Sequence, residues 1–259
     1  MENSIEIHLQ GWRQRVNITV RSNAREKPQI LEQGGVMGKV GQRVYCAGPL
    51  FNPAEREEMA AIASALKSAG YSVFLPQEDG LKFASLLPVL TDRGVSTGEA
   101  TKILNLAIFS LDVFEIMRCD GLLLNMNGRV PDEGAMVEAG IAWSHDKTVV
   151  IFKSDDRSLI YGSCNPMVMG LADFEFVSAY AEIPRAFDRR IVETESANRA
   201  SASSRFETAN EKGEAISHCL GSRGSLEDIT ELLIRLFLEK SCLSQEERSE
   251  SFSPILGRQ

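Results

Sequence analysis

Four short apolar runs, VYCA at 44–47, SVFL at 72–75, GLLLNM at 121–126 and TVVIF at 148–152, recur along the chain, and turn residues or helix-like stretches bound each one. They are continuous rather than alternating in polarity, which marks strands covered on both faces, as in parallel sheets. Parallel neighbours need a crossover of a dozen or more residues, and the stretches 53–69, 98–118 and 134–145 have the length and periodicity of crossover helices. FEFV at 174–177 reads as a fifth strand and IPRAFDRRIVE at 183–193 as a closing helix. The pattern predicts an α/β fold, a doubly wound parallel sheet of about five strands in the flavodoxin-like order, with N- and C-terminal extensions.

Outside this repeat the signals change character. Residues 1–41 read as an N-terminal extension and linker, with SIEIHL and VNITV as short strands and EQGGVMGKVGQ as a glycine-rich connector without a GxGxxG fingerprint. Residues 42–195 form the predicted catalytic domain. In 196–259, SANRASASSRFETANEKGEA reads as a polar linker and SLEDITELLIRLFLEK as an amphipathic helix with apolar Leu226, Ile229, Leu233 and Leu236. That stripe is expected to pack on the domain or on another subunit, and the last residues, SQEERSESFSPILGRQ, read as a flexible tail.

Composition narrows the chemistry. With 259 residues, 43% hydrophobic, the chain can bury a full core. A net charge of −8 argues against a phosphate-backbone partner, since nucleic-acid affinity draws on clustered Lys and Arg. A small neutral substrate fits better. The five cysteines (Cys46, Cys119, Cys164, Cys219, Cys242) show no CxxC pairing, which points to reduced thiols and a cytoplasmic setting. No apolar run reaches ~18 residues, so a membrane span is not expected. His8, His145 and His218 are isolated, and no metal or cofactor is expected.

The chemistry concentrates around PDEGAMVEAG, 131–140. Asp132 falls in a turn bearing Gly134, and Glu138 lies one to two helical turns further on. Two carboxylates facing one cleft could divide nucleophilic attack and proton donation at a glycosidic carbon; equally, acids at a helix start can simply favour the helix dipole. In open parallel sheets ligands bind beyond the carboxyl ends of the strands where strand order reverses. There the loops AGPLFNPAE and NMNGRVPDEG meet, so Gly48, Pro49, Phe51 and Gly134 are candidate substrate-contacting positions. Asp112, inside the largely apolar ILNLAIFSLDVFEIM, is either partly buried with a raised pKa, suiting a proton donor, or solvated beside Glu115 or Arg118. Tyr45 is either plain core or a group whose hydroxyl orients a carboxylate.

Taken together, these residues resemble the nucleoside 2-deoxyribosyltransferase family over about 44–170. VYCAGPLFNPAE is similar to that family's first strand and sugar-site loop, Asp112, Asp132 and Glu138 match its three acids in order and separation, and Asn165 and Met167 resemble its Asn-x-Met. The resemblance implies that Glu138 attacks the anomeric carbon of a 2'-deoxynucleoside and that a second nucleobase displaces it with overall retention. It further implies that Asp112 and Asp132 handle the base and its proton, that Tyr45 holds Glu138, and that Asn165 and Met167 act in trans within a homo-oligomer. Free nucleobases and 2'-deoxynucleosides are the implied partners. The extensions depart from the family pattern. Two other readings stay open: an N-glycoside hydrolase acting on nucleosides or nucleoside 5'-monophosphates, and a non-catalytic nucleotide-sensing module. The first loop offers no basic residue for a phosphate until Arg56, which favours unphosphorylated nucleosides.

Overall fold

Arg43–Ala47 (β1), Ser72–Phe74 (β2), Gly121–Asn125 (β3) and Thr148–Phe152 (β4) form one parallel sheet in the order β2-β1-β3-β4. The computed structural model describes residues 41–128, 132–154, 164–200 and 204–238. β3 and β4 are buried at every position, which is the physical reason their sequences are unbroken apolar runs. Register places Tyr45 beside Phe74 on one side and Leu122 on the other.

The crossovers are Pro53–Ser68 (α1), then Pro76–Asp79 (α2), Phe83–Asp92 (α3) and Thr97–Arg118 (α4), and finally Glu133–Ser144 (α5). α1, α4 and α5 fall on the three stretches predicted as helices. Asn52 opens α1 by accepting from Glu55 N at 3.0 Å, while the Glu55 carboxylate accepts from Asn52 N at 3.2 Å, and Pro53 occupies the first turn where a missing N–H costs nothing.

Alternate residues of each strand point to opposite faces, so the sheet separates two cores. Val44, Cys46 and Leu123 pack with Met59, Ile62 and Leu66 of α1 and with Phe187 and Ile191 of a later helix, Ile183–Ala200 (α7). Tyr45, Ala47, Leu122 and Leu124 pack with Ile116 of α4 and Ala135, Ala139 and Ala142 of α5.

The predicted sheet of five strands is corrected to four among the described residues. FEFV contributes a single bridge, Val177 to Phe152. Asp173 and Phe174 have φ of 51° and 65°, left-handed values that no strand accommodates, and Phe174 and Phe176 face solvent. The polar stretch read as a linker is also largely helical. α7 runs to Ala200, and a further helix, Arg205–Gly221 (α8), starts at a box in which Ser204 and Glu207 satisfy each other's backbone N–H groups. Leu226–Phe237 (α9) is the amphipathic helix expected, but it packs on α8 through Leu232, leaving Leu226 and Leu233 exposed. The short strands expected before residue 41 and the tail beyond 238 lie outside the described residues. Among those described, no helix is long and apolar enough to cross a membrane.

Candidate active site

Tyr45 sits mid-strand in β1, fully buried and stacked on Phe74 with ring centroids 5.3 Å apart. Its hydroxyl donates to Glu138 Oε1 at 2.8 Å. Buried tyrosine hydroxyls need a partner, and here the partner is a carboxylate on the second turn of α5. Burial pushes the Glu138 carboxyl up to about 8; the Tyr45 hydrogen bond opposes the shift, and the negative charges of Asp112 and Asp132 add to it. These four residues therefore share one electrostatic neighbourhood, drawn from the middle of β1, from α4 and from the N-terminal half of α5.

Asp112, half-buried on α4, is also pushed above the usual carboxylate range by burial, with the Tyr45 hydroxyl pulling the other way. The solvated alternative, in which it joins Glu115 and Arg118, is not what forms. Glu115 is held instead by Arg43 at 2.9 Å and Arg118 at 3.2 Å. Burial and the charges of Glu138 and Asp112 push the Tyr45 phenol far up, so it remains a donor at any physiological pH.

Asp132 proves to be the N-cap of α5. Its Oδ1 accepts from Gly134 N at 2.8 Å and Ala135 N at 3.1 Å. The helix-start reading is what the hydrogen bonds show, and the negative charge of the same carboxylate adds to the raised pKa of Glu138. The first loop is shaped by packing. A Cβ on Gly48 would stand 2.6 Å from Met59 Sδ and 2.8 Å from Asn125 Cβ, so glycine is required by close approach alone. Pro49 is buried, Phe51 is 77% exposed, and Arg56 Nη1 donates to the Leu50 carbonyl at 2.9 Å. Asn165 caps the short helix Pro166–Met169 (α6) by accepting from Met167 N at 2.9 Å, and Met167 is 81% exposed. The Asn165 side chain is thus engaged in its own cap rather than with Tyr45 or the three acids of the same chain.

A family model for nucleoside 2-deoxyribosyltransferase matches residues 44–212. The chain belongs to the nucleoside 2-deoxyribosyltransferase family. The matched span contains Tyr45, Asp112, Asp132, Glu138, Asn165 and Met167 and runs on into α8, leaving α9 outside. No curated protein matches the chain. Among solved structures, a conserved protein from Enterococcus faecalis is 19% identical, with a TM-score of 0.43 over 59% of this chain and 98% of that one. A 2-deoxyribosyltransferase from Bacillus psychrosaccharolyticus is 20% identical, with a TM-score of 0.40 over 55% of this chain and 90% of that one. A CMP N-glycosidase from Clostridium botulinum is 14% identical, with a TM-score of 0.32 over 56% and 96%. Membership in this family supports chemistry at the N-glycosidic bond of nucleosides, by glycosyl transfer or by hydrolysis.

Sequence reading passed over a second polar cluster at the same end of the sheet. Glu58 of α1 accepts from Asn125 Nδ2 at 2.8 Å and from Asn127 Nδ2 at 2.7 Å. An asparagine closing an otherwise apolar buried strand was the available signal. Glu58 itself gave none, because EREE on a helix reads as a solvated charge run.

Proposed function

We propose that the chain transfers a 2-deoxyribosyl group between nucleobases, with Glu138 as nucleophile. The observation that carries this reading is the Tyr45–Glu138 hydrogen bond, which fixes Oε1 and leaves Oε2 as the attacking oxygen. Attack on the anomeric carbon forms a glycosyl ester as the bond to the base nitrogen breaks, and that electron pair takes a proton on the base. Asp112 is suited to supply this proton because burial raises its pKa above the ordinary carboxylate value. An incoming base then attacks the ester carbon, releases Glu138 and returns a proton to the acid. Two inversions give net retention. Asp132 contributes charge at the mouth of α5 and contacts the base, while Gly48, Pro49, Phe51 and Gly134 line the substrate.

Asn165 and Met167 are read as reaching the site of a neighbouring subunit. Their exposure supports this, as do the large apolar side chains that α4 leaves in solvent: Ile103, Leu106, Phe109, Phe114 and Met117. The proposed assembly is a homo-oligomer.

The test is base exchange. Incubation with a 2'-deoxynucleoside and a different free base should yield the exchanged nucleoside with retained configuration, and Glu138→Ala should abolish it. Release of free base and free sugar only, without exchange, would replace the transferase reading with hydrolysis.

A further inference from the structure

Asn125 and Asn127 are buried at the end of β3, at 0% and 7% exposure, and unsatisfied amides there would be costly. Their hydrogens are assigned with little slack. Asn125 Nδ2 donates to Glu58 Oε2 at 2.8 Å and makes a long contact with Met59 Sδ at 3.5 Å, while its Oδ1 accepts from Asn127 N at 3.0 Å. Asn127 Nδ2 donates to Glu58 Oε1 at 2.7 Å and to Ser154 Oγ at 2.8 Å, and its Oδ1 accepts from Ser154 N at 2.8 Å. One carboxylate on α1 therefore ties together the tips of β3 and β4. The same α1 turn carries fully buried Met59, against which Gly48 and Asn125 pack, so the tip of β1 abuts the cluster too.

We propose that Glu58 is a positioning residue for the transfer reaction: by gripping Asn125 and Asn127 it fixes the end of β3 from which the chain departs toward Asp132 and Glu138. It touches none of the reacting atoms. Its effect on rate rests on the proposed function above, while its effect on the order of α5 does not. The geometry of attack depends on Glu138 meeting Tyr45 of β1 from a helix that enters just after β3, and displacements on the order of 1 Å cost about a hundredfold in rate.

Glu58→Gln tests this because it changes few atoms yet places an amide N–H against an amide N–H. Flipping Asn125 does not relieve the conflict, since its Oδ1 is needed by Asn127 N. Adding Asn127→Asp does relieve it. The amide nitrogen introduced at position 58 then donates to the carboxylate introduced at position 127, and the amide oxygen at position 58 still accepts from Asn125. Ser154 N keeps its acceptor, and the Ser154 hydroxyl turns to donate. The expected result for E58Q is a kcat for base exchange lower by about tenfold or more with KM within about twofold. Hydrogen exchange at the Gly134 and Ala135 amides should be faster, and both effects should be largely reversed in E58Q/N127D. Unchanged exchange at those amides in folded E58Q, or a double variant no better than E58Q, overturns the proposal. If the wild-type chain exchanges no base at all, the proposed function fails, and the amide exchange of the two variants still decides the role of Glu58.

Discussion

Tyr45 and Glu138 lie 93 residues apart in the chain and are joined by a 2.8 Å hydrogen bond from a phenol that stays protonated to a carboxyl that burial holds near neutrality. One group is fixed in the middle of a strand and the other on a helix that follows the neighbouring strand. The bond favours the ionised form of Glu138, the form that the proposed attack requires.

Opposite pH shifts are expected from its two neighbours. The nucleophile must be ionised, so kcat/KM should rise as pH increases through about 8 in the wild type. Tyr45→Phe removes a contact that lowers the Glu138 pKa, so the rising limb should move to higher pH. Ionised Asp112 raises the Glu138 pKa, so Asp112→Asn should move the limb to lower pH, and the maximum should fall because the protonated form of Asp112 is the proposed donor. Initial rates of base exchange from about pH 5.5 to about pH 9.5 check both; shifts in the same direction would refute the electrostatic account.

The strained ionisation of Glu138 should be visible in stability. Its folded pKa lies above its ordinary value of 4.5, so the unfolded chain ionises first and stability falls as pH rises from about 4.5 to about 8, then levels. Glu138→Gln removes this penalty. Denaturant unfolding should find E138Q and wild type alike near pH 4.5 and E138Q more stable by on the order of 1–3 kcal/mol at about pH 9.

Asp132 caps α5, and one pair of substitutions separates that role from the part proposed for its charge in the reaction. Asparagine keeps a cap oxygen for Gly134 N and Ala135 N but removes the charge; alanine removes both. Asp132→Ala should cost about 1 kcal/mol of stability and Asp132→Asn a few tenths, while base exchange falls in both. Full activity in D132N would assign Asp132 to the cap alone.

Complementation between inactive subunits reports on Asn165. If it serves a neighbour's site, mixed oligomers of E138Q and N165A contain some sites with both groups intact. Activity should then return on mixing, when neither variant alone has it. A mixture as inactive as its components would place Asn165 outside the reaction.

The layered architecture was readable because the sheet is buried on both faces, which forces unbroken apolar strands and periodic crossover helices. What escaped was structure with little burial. α3 buries none of its residues, and Pro88 inside it interrupts the apolar series Phe83, Leu86, Leu87 and Leu90 that would otherwise mark a helix. α8 was masked by small polar composition, although SRFE at its start has the spacing of a capping box. FEFV misled because its aromatic content mimics a strand while the two left-handed residues at Asp173 and Phe174 are invisible to propensity. In the site, Asp112 stood out as a carboxylate in an apolar helix, and Asp132 and Glu138 through the segment PDEGAMVEAG. Glu58 did not, because its partners are 67 and 69 residues away.

β1 is hydrogen-bonded along both edges, to β2 and to β3, so the Tyr45 hydroxyl is immobile in the frame of the sheet. Most of the other groups proposed to meet the substrate, by contrast, stand at the cap of α5, in the loop after β1 and on the exposed four-residue α6. A lineage, or a protein engineer, altering which bases are accepted can therefore rebuild the periphery while the reacting centre keeps its alignment.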